Sequence, residues 1–144
     1  MPKADIKIIG ESINDSVPST HVLYENNNID GIKELAKLQD EKGATYIDVN
    51  VGGRSADFLA EMIQQVQSVT RKPLSIDTPD PAMAEAALKV YDDSVGMPVL
   101  NSISPLRIQM FELSRIKPFR PILLLSASKM ICPPVSASAF FTSL

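Results

Sequence analysis

Residues 46–57, "YIDVNVGGRSAD", combine a strand-like beginning with an abruptly polar end. The stretch opens with apolar residues typical of a buried strand, but Asp48 and Asn50 interrupt them, and the pair Gly52-Gly53 follows. Glycine suits a turn because it adopts backbone conformations that other residues avoid. The next residues, "SADFLAEMIQQVQSVT", space apolar side chains at helical intervals. The stretch therefore predicts a strand, a turn and a helix, with polar side chains where the strand ends.

The same unit recurs along the chain. Strand-like runs occupy residues 6–10, 44–51, 73–77, 97–104 and 121–128, and helical patterns occupy residues 28–43, 55–70, 80–92 and 105–116. Asn28 or Asp30 is placed to cap the first of these helices, Gly43 to end it, and Asp80 to cap the third. Strands that alternate with helices predict an α/β fold with a parallel sheet, either an open doubly wound sheet or a (β/α)8 barrel. Neither GxGxxG nor GxxxxGK[ST] follows a predicted strand, which weakens the nucleotide-binding version.

Composition narrows the functional classes. The 144 residues carry a net charge of −3 and show no basic stripe, so we expect no nucleic-acid partner. One cysteine, Cys132, and one histidine make a metal site improbable. No signal-like segment and no run approaching the ~20 apolar residues of a membrane span is present, so the expected location is cytoplasmic.

Polar residues cluster where the predicted strands end: Glu11, Asn14, Asp48, Asn50, Asp77 and Asn101. In parallel α/β folds the carboxyl ends of neighbouring strands meet at one edge, where ligands bind. Carboxylates and carboxamides suit a flat heterocycle that presents adjacent N–H donors and C=O acceptors, such as a pterin or guanine. The sequence therefore predicts one shared polar ligand.

Some of these residues also have a purely structural alternative. Asp48 could bond backbone amides at its strand end, and Asp77 could cap the next helix, although Asp80 is better placed for that. Glu11 could simply pair with Lys7 or with Arg54.

Four motifs, "IGESIN", "IDVNVGG", "SIDT" and "LNSIS", occur in this order within about residues 5–105. Together they resemble the pterin-binding family, which includes dihydropteroate synthase and the methyltetrahydrofolate:corrinoid-protein methyltransferases. The resemblance is closer to the methyltransferase branch, because a dihydropteroate synthase would carry an "NVTPDSF"-like first loop and "DIGGESTRPG" at the second.

The resemblance implies a TIM barrel with a pterin in its C-terminal mouth, here the first four to five βα units. It implies that Asp77 and Asn101 bind the ring edge, that Asp48 and Asn50 lie nearby, and that the first loop brings two further residues to the mouth, Glu11 and Asn14. The implied reaction moves a methyl group between N5 of methyl-tetrahydrofolate, or a related tetrahydropterin, and the cobalt of a corrinoid protein. The N5-activating residue is expected on a later strand, so no catalytic residue is assigned.

Alternatives to this function remain open. Within enzymes the alternative is a dihydropteroate synthase; from another class it is a non-catalytic fragment with weak or no pterin binding. The implied partner is a corrinoid protein, and a homodimer is a further option. The resemblance does not choose between tetrahydrofolate and tetrahydromethanopterin.

The chain changes character near its end. Residues 1–112 fit the N-terminal part of a barrel domain, whereas residues 113–144 contain no Asp or Glu and are dense in Ser and Pro. A (β/α)8 barrel typically needs about 250 residues. We therefore hypothesise that residues 113–144 are an atypical tail produced by a frameshift or a truncation.

Overall fold

A computed structural model describes residues 5–125, 128–131 and 134. Its regular elements, in chain order, are β1 (Ile9–Asn14), α1 (Pro18–Glu25), α2 (Ile29–Glu41), β2 (Tyr46–Asn50), α3 (Ala56–Gln67), β3 (Leu74–Asp77), α4 (Pro81–Val90), β4 (Val99–Ile103), β5 (Arg120–Leu125) and β6 (Ser128–Ile131). Two 3-10 helices, Asp93–Val95 and Pro105–Arg115, flank β4.

The first five strands form one parallel sheet in chain order, and β6 adds an antiparallel strand beside β5. Strands follow one another in this way in a (β/α)8 barrel, whereas a doubly wound sheet reverses its strand order at a switch point. The predicted α/β class is confirmed, and the topology is that of a partial barrel.

Alternate residues of the strands divide the sheet into two faces. One face packs under the helices and forms the main core, with these residues from the central strands: Ile47, Val49, Leu74, Ile76 and Leu100. On the other face, at the amino end, a small apolar cluster joins Tyr46, Val99 and Ile122, with Ile9 against it. A barrel needs both surfaces, because its helices cover the outside and side chains fill the inside.

Helix boundaries follow the capping residues that the sequence indicated. Asn28 Oδ1 accepts a hydrogen bond from Gly31 N at 2.9 Å, and Asp80 Oδ1 accepts one from Ala82 N at 2.8 Å. Gly43 follows α2 with φ of +87°. Each side-chain cap satisfies an amide that the helix itself leaves without a partner.

The first strand lies later than predicted. The apolar run at residues 6–10 suggested a strand there, but β1 begins at Ile9 and runs through the polar residues to Asn14. Ile6 and Ile8 are 76% and 55% exposed, whereas Ile13 is fully buried. The strand carries one extra residue between Gly10 and Ile13, which disturbs the alternation on which the prediction depended.

Helix α1 was not predicted, because its sequence is polar and short. Pro18 opens it, and Thr20 Oγ1 donates a hydrogen bond to Ser12 O at 2.6 Å, which ties the helix to β1. Buried Tyr24 fixes its far end in the core.

The region after β4 also differs from expectation. The predicted fourth helix over residues 105–116 is a 3-10 helix interrupted by a non-helical Arg107, and β6 was not predicted. The predicted fifth strand is present as β5, inside the segment assigned to the tail. The boundary at residue 112 and the origin of the tail stay predictions, and Cys132 lies outside the described residues. Among the described helices, none has the length and apolar character that a membrane crossing requires.

Candidate functional site

Strand pairing brings five polar side chains to the carboxyl end of the sheet. Asp48 lies opposite Ser75, Asp77 lies opposite Asn101, and Asn50 follows Asp48 by two positions. Their neighbours along the strands pack under the helices, so these side chains occupy the other face. We name this group, Asp48, Asn50, Ser75, Asp77 and Asn101, the polar edge.

Asp48 lies at the centre of the polar edge and is fully buried. Its Oδ1 accepts hydrogen bonds from Ser75 Oγ at 2.5 Å and from Asn101 Nδ2 at 3.2 Å. Asp48 Oδ2 and Asn101 Oδ1 are buried without a hydrogen-bond partner among the described residues. A buried oxygen left in this state costs about 1–3 kcal/mol, so both are candidate contacts for a ligand.

A second chain of contacts runs beside the first. Asn50 Nδ2 donates to Asp77 Oδ2 at 3.1 Å, while Asn50 Oδ1 accepts from Gly52 N at 2.8 Å. Asp77 is therefore held through one carboxylate oxygen. Among the described residues its second oxygen accepts no hydrogen bond, so that oxygen can accept one from an N–H edge of a ligand.

Burial raises the pKa of the Asp48 carboxyl to about 7. The neighbouring Asp77 carboxylate adds to the rise, the hydrogen bonds from Ser75 and Asn101 oppose it, and Glu11 contributes a smaller repulsion. Burial and a neighbouring carboxylate both disfavour the charged form of Asp48. Such an edge favours a ligand that brings hydrogen-bond donors.

The two predicted site residues before β2 are placed differently. Glu11 and Asn14 lie on strand β1 rather than on the first loop. Glu11 is exposed, and Asn14 Oδ1 accepts from Ser16 N at 2.8 Å. Asn14 reaches the same end of the sheet because it lies opposite Asn50.

Arg54 joins the first two loops at this end of the sheet, a role that the sequence did not reveal. Its Nη1 donates to Asp15 Oδ1 at 2.6 Å, its Nη2 donates to Glu25 Oε1 at 2.5 Å, and its guanidinium lies 4.9 Å from the centre of the Tyr24 ring. The pairing of Arg54 with Glu11 is therefore wrong. Lys7 contacts Asp5 instead of Glu11.

Asp15 is the centre of this link between the loops. Partial burial opposes its ionisation, but hydrogen bonds from His21 and Arg54 outweigh burial and hold the pKa of the Asp15 carboxyl below its ordinary value. Its backbone N–H also donates to Asn50 O at 3.1 Å. The loop after β1 is thereby fixed against the end of β2.

The part of the chain that the structure describes contains no cluster of side chains suited to bind a metal ion. There, no group of three or more His, Cys, Asp or Glu side chains is arranged to hold an ion. The site is a set of hydrogen-bonding oxygens and amides.

Comparison with known proteins gives two matches. The family model described as "Pterin binding enzyme" matches residues 13–129. A methylcorrinoid:tetrahydrofolate methyltransferase from Eubacterium limosum is 38% identical over 82 residues, covering 55% of this chain. The aligned part spans 30% of the length of that relative.

Proposed function

This chain belongs to the pterin-binding enzyme family, and from that premise we propose that its polar edge binds the pterin ring of a tetrahydrofolate or a related tetrahydropterin. The observation that carries the proposal is a pair of buried oxygens without a hydrogen-bond partner among the described residues, Asp48 Oδ2 and Asn101 Oδ1, beside the carboxylate of Asp77. The 2-amino-4-oxopyrimidine edge of a pterin offers N–H donors that match acceptors of this kind.

We further propose that the protein is a methyltransferase, acting between N5 of the tetrahydropterin and the cobalt of a corrinoid carried by a partner protein. Support comes from the relative, which is named a methylcorrinoid:tetrahydrofolate methyltransferase, and from the motif forms that favour this branch over dihydropteroate synthase. In the direction toward the pterin, a bond from N5 to the methyl carbon forms as the carbon–cobalt bond breaks, and N5 loses its proton. The chain's contribution to this chemistry is to hold the ring and to orient N5.

The binding step is tested by calorimetric titration of 5-methyltetrahydrofolate onto this chain. We expect a dissociation constant in the micromolar range, that is, on the order of −8 kcal/mol. Asp77→Ala should weaken binding by about 10–100-fold, because it removes a charge-assisted hydrogen bond to the ring. Asp30→Asn, which changes an exposed acid in the first turn of α2, is the matched control and should bind as the parent does.

Absence of binding by a folded parent chain would overturn the pterin-site proposal and favour the non-catalytic alternative. Equal affinity of the parent and Asp77→Ala would place the ligand elsewhere.

The transfer step has its own readout. Cob(I)alamin and methylcobalamin differ in their visible spectra, so mixing the chain with cob(I)alamin and 5-methyltetrahydrofolate reports methyl transfer directly. Formation of methylcobalamin above the uncatalysed rate supports the methyltransferase. Incorporation of p-aminobenzoate into a pteroate would instead favour dihydropteroate synthase chemistry.

A further inference from the structure

Asp48 and Asn101 meet across the strand that separates them. They lie on β2 and β4, and Asn101 Nδ2 is 3.2 Å from Asp48 Oδ1 across β3, where Ser75 lies opposite Asp48 and Asp77 lies opposite Asn101. Both side chains are at most 1% exposed. Both residues face the candidate ligand. Their contact therefore limits which hydrogen-bonding atoms each of them can present to the ligand.

The chemistry of the contact fixes the orientation of the Asn101 amide. An ionised carboxylate only accepts hydrogen bonds, so Asn101 must turn its NH2 group toward Asp48. The amide is planar, and its oxygen then points away from Asp48. That oxygen is the one that is buried without a partner among the described residues.

We propose that Asp48 is a positioning residue which, together with Ser75, holds the Asn101 amide with its oxygen toward the ligand. This inference rests on the proposed function, because the ligand is taken to be a pterin. Asn101 is then an obligate acceptor, and the ring must present an N–H at that place. A ring that presents a carbonyl oxygen or an alkylated nitrogen there is rejected, because it leaves a buried acceptor unpaired.

The contacts of Asn50 with Gly52 and Asp77 also fix the orientation of a side-chain amide, and they support the inference independently. The backbone N–H of Gly52 occupies Asn50 Oδ1, so Asn50 can only turn its NH2 group toward Asp77. Strand β2 thus orients one ligand-facing residue on each of the next two strands. Asp77 keeps an acceptor for the ligand, as Asn101 does.

The orientation depends on the charge of Asp48. The groups that face its carboxyl are Asp77 on β3, Glu11 on β1 and, more distantly, Tyr24 on α1. With a pKa of about 7, its ionised fraction rises from about one-tenth at pH 6 to about nine-tenths at pH 8. A protonated Asp48 no longer requires the NH2 group of Asn101, so affinity for an N–H donor ring should rise with pH across this window.

Titration of 5-methyltetrahydrofolate onto the chain at pH 6 and pH 8 tests the inference. We expect up to about a tenfold tighter dissociation constant at pH 8. Asp48→Asn should lose this pH dependence, because an amide oxygen still accepts from Ser75 and Asn101 but does not titrate. Asp48→Leu, which keeps the buried volume without an acceptor, should weaken binding at least tenfold at pH 8. Asp57→Asn, an exposed acid on α3, controls for charge alone.

Two ring analogues examine the acceptor role of Asn101. A pterin methylated at N3 and a pterin lacking the 2-amino group each remove one donor, and one of them should bind at least tenfold more weakly than pterin itself. The difference in affinity between pterin and these analogues should be smaller in Asp48→Leu. Equal binding of all three rings by the parent chain would overturn the inference.

A measurement without ligand separates this inference from the proposed function. The side-chain amide of Asn101, assigned in a 15N NMR spectrum by its loss in Asn101→Ala, should shift with pH around 7 in the parent and stay constant in Asp48→Asn. A resonance that ignores the Asp48 substitution overturns the positioning role whether or not pterin binds. A resonance that responds, in a chain that binds no pterin, overturns the proposed function and the donor requirement while leaving the contact itself in place.

Discussion

Opposing interactions act on the charge of the Asp48 carboxyl group. Burial and Asp77 disfavour its charge, and donors from Ser75 and Asn101 favour it. An unfolded aspartate has a pKa near 3.9, and the folded value is about 7. Between these values the folded chain binds more protons than the unfolded chain, so this residue lowers the free energy of unfolding as pH rises from about 4 to about 7.

Asp48→Asn should therefore gain stability relative to the parent as pH rises. The variant has no proton to lose, so the difference in unfolding free energy should grow between about pH 4 and pH 7, by on the order of 2–4 kcal/mol, and then level off. Urea denaturation at a series of pH values measures it. Asp57→Asn is the control, and a difference that does not vary with pH would contradict the assignment.

Arg54 is the residue whose loss should most weaken the two loops. Arg54→Ala removes contacts with Asp15, Glu25 and the Tyr24 ring, and should lower the unfolding free energy by about 1–2 kcal/mol. Its side chain is 20% exposed, so salt should screen the contacts only in part.

Lys37→Ala is the comparison for Arg54→Ala. Lys37 pairs with Glu34 on the exposed face of α2, where solvent screens the pair and it contributes little to stability. Chemical denaturation measures the free energy of unfolding of both variants. Equal losses would show that the contacts of Arg54 stabilise the chain no more than a surface ion pair does.

At the scale of elements, the turn after β2 depends on only one of its two glycines. Gly52 has φ of +64°, and a Cβ there would lie 2.3 Å from Asp15 Oδ2. Gly53 has open space around its Cβ position and no left-handed backbone. The turn therefore needs Gly52 both for its conformation and for the approach of the first loop.

Gly52→Ala should destabilise the chain by about 1–3 kcal/mol, because the left-handed conformation and the contact with Asp15 both oppose a methyl group. Gly53→Ala should change stability by less than about 0.5 kcal/mol. Thermal unfolding of the two variants gives a direct comparison, and a similar shift in both would remove the special role of Gly52.

The elements that the sequence predicted well have strong periodicity and clear caps. Strands β2, β3 and β4 and helices α2, α3 and α4 appear where apolar spacing placed them, since their buried faces repeat without interruption. Strand β1 was displaced because an extra residue breaks its alternation, and α1 was missed because tertiary contacts rather than periodicity hold it.

The site was predictable in part for the same reason. Strand ends indicated that Asp48, Asn50, Asp77 and Asn101 would meet, and the structure brings them together. Ser75 was not foreseen, since a serine inside a strand acquires meaning only from the register with β2. Amide orientation likewise depends on contacts across strands, which a single sequence does not display.

At the scale of the whole molecule, an apolar surface lies beside β4 and β5. Leu106 and Ile108 are 90% and 66% exposed, and Ile108 borders an apolar depression of about 150 Å³ shared with Ile103, Phe111 and Leu123. Exposed apolar side chains that adjoin one another promote association. The homodimer considered from sequence stays a prediction, and this surface gives it a test.

Replacing Leu106 and Ile108 together by Lys should lower the apparent molecular mass in sedimentation equilibrium if the chain self-associates through this surface. The loss follows from removing apolar area and adding like charge. Gln109→Lys, an exposed neighbour, adds charge without removing apolar area and should leave association nearly unchanged. Association that persists in the double variant would assign it to another surface, such as the outer edge of β1 in the described sheet.

The alternation of apolar and polar residues along β2 also affects which strand register forms during folding. Ile47 and Val49 face the helices while Asp48 and Asn50 face the opposite side, so a pairing shifted by one residue would exchange the two sets. The shifted pairing would press a carboxyl group and an amide against α3 and expose the isoleucine and valine. The polar residues of β2 thereby penalise misaligned intermediates. A variant in which apolar residues replace Asp48 and Asn50 should gain stability, but its β2 should pair in more than one register.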